Sequence, residues 1–250
     1  MSGRLDGKVA LVTGSTSGIG AATARALGRD GATVVVNSAR SVEAGRALAA
    51  ELGDAIYVRA DIADPSEARS LVETAARRNG RLDILVNNAG TTVKIPHGEL
   101  DEVTAEVWEK ILGVNVVGTW NVTTAAAPYL HAAAHHHSGR SVVVNVSSLA
   151  GIRPTGSSIP YGVSKAAVNH MTRLLANTLG PEIRVNAVAP GLVDTPWTAD
   201  WALEREYVQG RSPLKSIPSA EDVADAILAL IYAHQVTGEV LLVDGGLHLR

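Results

Sequence analysis

Short apolar runs recur along the chain at residues 9–12, 33–36, 55–58, 84–86, 141–146, 184–188 and 239–243. They are rich in valine, leucine and isoleucine and alternate little with polar residues, the pattern of strands buried on both faces. Between them, small and apolar residues return every three or four positions. One such stretch ends near Gly31, and others cover 42–52, 66–79, 103–112, 116–130, 161–179 and 220–232. That period predicts helices with one face on a core. Asp64-Pro65 marks a helix start, an acceptor followed by proline in the first turn. Strands that alternate with helices predict an α/β chain, a sheet of seven parallel strands with helices on both faces. No repeat, low-complexity segment or linker divides residues 1–250, so a single domain is expected. Residues 192–216 carry no strand pattern and include Pro196, Trp197, Trp201 and Pro213. They exceed an ordinary connection and predict a lid or binding loop.

Composition narrows the function classes. Hydrophobic residues make up 46% of 250 and charged residues 19%, which suits a globular chain with a substantial core. A net charge of -3 gives no electrostatic footprint for nucleic acid. The absence of cysteine excludes disulfides, thiolate metal sites and a cysteine nucleophile. The N-terminus enters the first strand without the apolar core of a signal peptide, and no apolar run approaches the roughly 20 residues that span a bilayer. The expectation is a cytoplasmic protein with no membrane partner. His131, His135, His136 and His137 cluster before Ser138-Gly139, and read as a solvated helix C-terminus rather than a metal site.

The candidate chemistry lies where apolar runs stop. The first strand runs into Thr13-Gly14-Ser15-Thr16-Ser17-Gly18-Ile19-Gly20 and then a helix, the setting of a phosphate-binding loop. The second strand is followed by Ser38 and Arg40, with no acid to take ribose hydroxyls; a basic residue there suits a 2′-phosphate. Asp61 could bond an adenine amino group, and Asn87-Asn88-Ala89-Gly90 ends the fourth strand. Asn115 stands among apolar neighbours and needs hydrogen-bond partners, either free carbonyls at a helix break or a lysine through water. Ser148 follows the 141–146 strand, and Tyr161 and Lys165 share a helix face at i and i+4. A phenol has an ordinary pKa of about 10, and a neighbouring ammonium favours the phenolate. Serine, tyrosine and lysine together can therefore bond one small polar group and move its proton. Taken singly, each segment also reads as a plain turn, a loop charge or an exposed helical pair.

In this order and on these elements, the segments resemble the short-chain dehydrogenase/reductase family over nearly the whole chain. The Asp244-Gly245-Gly246 ending looks most like its 3-oxoacyl-[acyl-carrier-protein] reductase branch. The resemblance implies a Rossmann-type doubly wound domain that interconverts a ketone and a secondary alcohol by hydride transfer. Asn115, Ser148, Tyr161 and Lys165 match the family's catalytic tetrad. Tyr161 would pass the proton, Ser148 would polarise the carbonyl, Lys165 would lower the tyrosine pKa and bond the nicotinamide ribose, and Asn115 would hold a water linking Lys165 to solvent. The implied cofactor contacts are Gly14, Ser15, Thr16, Ser17, Gly18, Ile19, Gly20, Ser38, Arg40, Asp61, Ile62, Asn88, Ala89, Gly90, Pro190, Gly191, Val193 and Thr195, besides Tyr161 and Lys165. Thr195 would bond the carboxamide. Ser17 stands where many NADP-using relatives carry a basic residue, yet Arg40 and Ser38 favour NADP, with NAD as the alternative. The resemblance further implies a small carbonyl or alcohol substrate, a lid at about 191–216 and a homotetramer. The competing readings are a non-catalytic NADP-binding regulator and a dehydratase or epimerase of the same fold.

Overall fold

The computed structural model describes residues 3–136 and 140–250. Its strands are β1 (Val9–Val12), β2 (Thr33–Ser38), β3 (Ala55–Arg59), β4 (Ile84–Asn87), β5 (Ser141–Val146), β6 (Ile183–Pro190) and β7 (Val240–Val243). The helices are α1 (Gly18–Arg29), α2 (Val42–Leu52), α3 (Pro65–Arg77), α4 (Ala105–Leu112), α5 (Thr119–His136), α6 (Ile159–Leu179), α7 (Ala202–Arg211) and α8 (Ala220–Tyr232). All strand pairs are parallel, in the order β3-β2-β1-β4-β5-β6-β7. The order reverses between β1 and β4, and that switch opens a crevice at the C-terminal strand ends.

Strand alternation builds two cores from one sheet. Ala10, Val12, Val34 and Val36 face α1, α2 and α8, where they meet Leu27, Leu48 and Ile227. Val9, Leu11, Val35 and Leu85 face α3, α5 and α6, against Leu71, Val122 and Leu175. A polar thread runs through the second layer. The Asn87 amide donates to Thr123 Oγ1 and to Asn145 Oδ1, each at 2.9 Å, and the Asn145 amide donates to Thr172 Oγ1 at 2.9 Å. It pins the ends of β4 and β5 to α5 and α6. At the opposite end of the sheet, Asp83 accepts from the Val9 amide at 3.0 Å, from Lys8 at 3.1 Å and from Arg81 Nε at 2.7 Å. Arg184, buried on β6, donates to the Leu230 and Ile231 carbonyls at 2.9 and 2.6 Å and holds the C-terminal end of α8 to the sheet.

The differences from the sequence expectations are local. The expected 66–79 helix spans Pro65–Arg77, with Asp64 capping it through the Ser66 and Glu67 amides. The expected 103–112 helix starts at Ala105, after a separate short turn at Leu100–Glu102. Gly113–Gly118 does not break the helix but forms a π turn that leads into α5. Residues 192–216 are not a bare loop, because α7 lies within them and Asp194 makes an isolated parallel bridge to Ser219. Of the clustered histidines, His131, His135 and His136 lie in the last turns of α5, and His137 lies outside the described residues. Among the described residues, no three His, Cys, Asp or Glu side chains gather as a metal site, and no helix is long and apolar enough to cross a membrane.

Candidate active site

A cleft of about 1320 Å³ lies along the C-terminal ends of the strands. Its floor on one side is the loop between β1 and α1, stitched to the end of β4. Thr13 Oγ1 accepts from the Asn88 and Ala89 amides, both at 3.1 Å. The Asn88 side chain donates to the Thr13 and Gly14 carbonyls at 2.9 and 2.8 Å. Backbone approaches here leave no room for side chains. Gly14 has φ 59°, and a Cβ on it would lie 2.7 Å from Ala89 Cα. A Cβ on Gly20 would lie 2.4 Å from the Asn88 amide. The α1 N-terminus carries no side-chain cap and no acid in its first turn, so its amides remain available to an anion at the cleft. This cradle fits the pyrophosphate of a dinucleotide.

The other expected cofactor residues divide into those that line the cleft and those that support it. Gly14, Ser17, Gly18, Ile19, Ser38, Arg40, Asp61, Ile62, Asn88, Ala89, Gly90, Pro190, Gly191, Val193 and Thr195 line it. Ser15, Thr16 and Gly20 do not. Ser15 is turned inward, donating to the Val12 carbonyl at 2.8 Å and accepting from the Asn37 amide at 3.0 Å. Thr195 stands against the loop, with its Cγ2 3.2 Å from where a Gly18 Cβ would be. Asp61 accepts from the Ala63 amide at 3.0 Å and so closes its own turn. Arg40 is exposed, and its guanidinium bonds none of the described residues.

Ser148, Tyr161 and Lys165 converge on the same cleft. Ser148 follows β5 in extended backbone, accepts from the Ala150 amide at 3.2 Å, donates to the Pro190 carbonyl at 3.5 Å and stands beside the Tyr161 phenol. Ser158 caps α6 through the Tyr161 amide, which places Tyr161 in the first turn. Gly151 lets the β5 end reach α6, since a Cβ there would lie 2.5 Å from the Lys165 carbonyl carbon. The Lys165 ammonium sits 5.7 Å from the Tyr161 ring centroid and donates to the Val146 carbonyl at 2.8 Å. Asn115 Oδ1 and Lys165 Nζ flank Gly90, at 3.4 and 3.6 Å from where its Cβ would be.

Burial acts on both members of the Tyr161–Lys165 pair. Burial pushes the Tyr161 phenol above its ordinary value, and the Ser148 hydrogen bond only partly opposes this. Burial also brings the Lys165 ammonium from 10.5 down to about 8. Asn115 bonds a backbone carbonyl, as one of its two readings expected, but one in the loop after β4. Its amide donates to the Thr91 carbonyl and to Ser164 Oγ, each at 3.0 Å, and its Oδ1 accepts from the Thr91 amide at 2.8 Å. It clamps the loop following β4 to the tyrosine helix.

Two contributors, Asn37 and Lys94, were not singled out in sequence, whereas the lid tryptophans Trp197 and Trp201 were. Asn37 takes the Gly14 amide at 3.3 Å and donates to the Val58 and Ala60 carbonyls, both at 3.1 Å. A polar residue closing an apolar strand was the available signal. Lys94, in the loop after β4, pairs with Glu204 of α7 at 2.5 Å across the cleft mouth. Trp197, Trp201, Leu203 and Tyr207 line the outer cleft from residues 191–216, opposite Ile95, Pro96 and Pro154.

Known proteins extend this picture. The family model described as enoyl-(acyl carrier protein) reductase matches residues 14–248. Ketoacyl reductase 2 of the granaticin polyketide synthase of Streptomyces violaceoruber is 57% identical over 244 residues, 96% of each chain. A Brucella melitensis 3-ketoacyl-(acyl-carrier-protein) reductase solved with NADH superposes with a TM-score of 0.90 at 34% identity, over 97% of this chain and 99% of that one. A Burkholderia cenocepacia short chain dehydrogenase solved with NADP superposes with a TM-score of 0.89 at 35% identity, over 98% and 99%. Matches of this extent, over a cleft with a phosphate cradle at one end and a Ser-Tyr-Lys cluster at the other, show that the chain belongs to the short-chain dehydrogenase/reductase family, NAD(P)-dependent oxidoreductases acting on CH–OH and C=O groups.

Proposed function

We propose that this enzyme reduces a ketone on a 3-oxoacyl or related polyketide chain, with NADPH as the preferred donor. The carrying observation is the convergence of Ser148, Tyr161 and buried Lys165 on one cleft, facing an outer part walled by Trp197, Trp201 and Tyr207. When bound, the reduced nicotinamide supplies a hydride to the carbonyl carbon. The Tyr161 phenol, kept protonated by its burial, donates a proton to the carbonyl oxygen as it becomes an alkoxide. Ser148 donates a hydrogen bond to the same oxygen and orients it. Lys165 sits close enough to stabilise the phenolate left behind. Asn115 keeps Thr91 and α6 in register. The relative named as a ketoacyl reductase supports the substrate class, and the absence of an acid at Ser38 beside Arg40 supports NADPH.

The remaining parts of the proposal concern assembly. Residues 191–216 act as the lid of a single domain spanning 1–250. Val117, Trp120, Val163 and Leu174 stand exposed on the π turn, α5 and α6, a face suited to a second copy in a cytoplasmic homotetramer. A monomer in sedimentation at micromolar concentration would refute the assembly. For the chemistry, the assay follows NADPH oxidation with a 3-oxoacyl thioester and with the corresponding enoyl thioester. The ketone is expected to react and the enoyl compound not. Tyr161→Phe should bind NADPH and lose nearly all turnover; a variant with near wild-type rate would overturn the assignment.

A further inference from the structure

At the adenosine end of the cleft, a second hydroxyl stands behind Ser38. Tyr57 on β3 places its phenol oxygen 3.0 Å from Ser38 Oγ and 3.4 Å from the Ser38 carbonyl. Ser38 itself is only 7% exposed and lines the cleft, so its hydroxyl has little freedom beyond this partner and the ligand space. The Tyr57 ring is fixed by α2. A Cβ on Gly45 would lie 2.2 Å from two ring carbons, so the helix rests directly on the ring face. The turn that begins α2 contains Arg40, whose carbonyl takes the Val42 amide at 2.9 Å. One aromatic side chain therefore locates both the Ser38 hydroxyl and the start of the helix that follows Arg40.

Each of the two hydroxyls has one proton. When the Tyr57 O–H donates to Ser38 Oγ, the serine proton is released toward the cleft, where an anion accepts it. We propose that Tyr57 is a positioning residue for recognition of a 2′-phosphate on the cofactor's adenosine ribose: its phenol turns Ser38 outward as a donor beside Arg40. This inference rests on the NADPH reading above and extends it to a residue that does not line the cleft. The nearby Asp61 carboxylate is turned to the Ala63 amide and leaves the donor arrangement intact.

The test is calorimetric and needs no turnover. Adenosine 2′,5′-bisphosphate and adenosine 5′-monophosphate differ only in the 2′-phosphate, and both are titrated into wild type, Tyr57→Phe, Ser38→Ala and the double variant. Wild type is expected to bind the bisphosphate more tightly. Tyr57→Phe keeps the ring on Gly45 and is expected to lose roughly fivefold of that advantage, the worth of one neutral hydrogen bond, with monophosphate affinity unchanged. The double variant should be no worse than Ser38→Ala, because Tyr57 acts through Ser38. If wild type does not distinguish the two nucleotides, the NADPH reading and this inference both fall. If wild type distinguishes them and Tyr57→Phe does so equally well, or weakens both alike, only the role of Tyr57 falls.

Discussion

Replacing Lys165 with methionine should change the pH dependence of stability in a calculable way. In the folded chain the ammonium is buried and donates to the Val146 carbonyl at 2.8 Å. Burial brings its pKa from 10.5 to about 8. The unfolded chain regains the higher value. Between these two pKa values the unfolded state binds more protons than the folded one, so this group makes stability rise with pH across that window. Below the folded pKa both states are protonated, and the folded chain bears the whole cost, about 3 kcal/mol at 1.36 kcal/mol per unit. Roughly 2–3 kcal/mol of it is relieved between pH 7 and pH 10. Methionine has a similar stem and no proton, so it lacks this dependence. Urea unfolding followed by circular dichroism, at one protomer concentration, gives the difference between variant and wild type at each pH. The difference should favour the variant more at pH 7 than at pH 10, by about 2–3 kcal/mol. Other titrating groups cancel in the comparison. A difference that stays the same at both pH values would refute the claim that burial depresses this lysine.

Two further outcomes are expected. Burial pulls the Asp83 carboxyl upward, but Arg81, the Val9 amide and Lys8 outweigh it and hold its pKa below the ordinary range. Its stabilising contribution is present above the unfolded pKa and lost as pH falls through the lower folded one, so acid unfolding of Asp83→Asn should lack part of the wild-type transition below about pH 4. Arg40→Ala should lower kcat/KM with NADPH by the worth of a charge-assisted hydrogen bond, about 1.5–3 kcal/mol, and leave NADH nearly unchanged; equal loss with both cofactors would return Arg40 to an ordinary loop charge.

The apolar runs were enough to read the seven strands and their parallel order of helices and strands, because a doubly covered sheet leaves valines with no polar interruption. The same criterion stopped too early where polar residues sit inside. β2 continues through Asn37 and Ser38, both buried, because Asn37 is needed under the Gly14 loop. β6 runs past the expected end at 188, because Ala189 and Pro190 still pair with Leu242 and Val243 of β7. α7 was invisible for the opposite reason. Only Val208 of that helix is buried, and Leu203 and Tyr207 are exposed, so no apolar stripe marks it. The site residues were legible as residue types at set spacings. Their protonation was not, since spacing put Lys165 near Tyr161 but carried no information on how dry the lysine is.

The stitching of Thr13 and Asn88 divides the cleft thermodynamically. The Asn88 and Ala89 amides and the Asn88 side chain are satisfied within the chain, so that floor has its bound geometry before any ligand arrives. Those two amides should exchange slowly with deuterium in the free protein. The roof is held differently, by the Lys94–Glu204 and Arg205–Asp194 pairs, whose side chains remain partly or largely in water and whose attraction salt screens. Conformational entropy is therefore withdrawn mostly from residues 191–216 when the outer cleft fills, and little from the floor when the nucleotide settles. A nucleotide and a ketone entering the same cleft should leave opposite calorimetric signatures, the first with a small ordering entropy and the second with a large one.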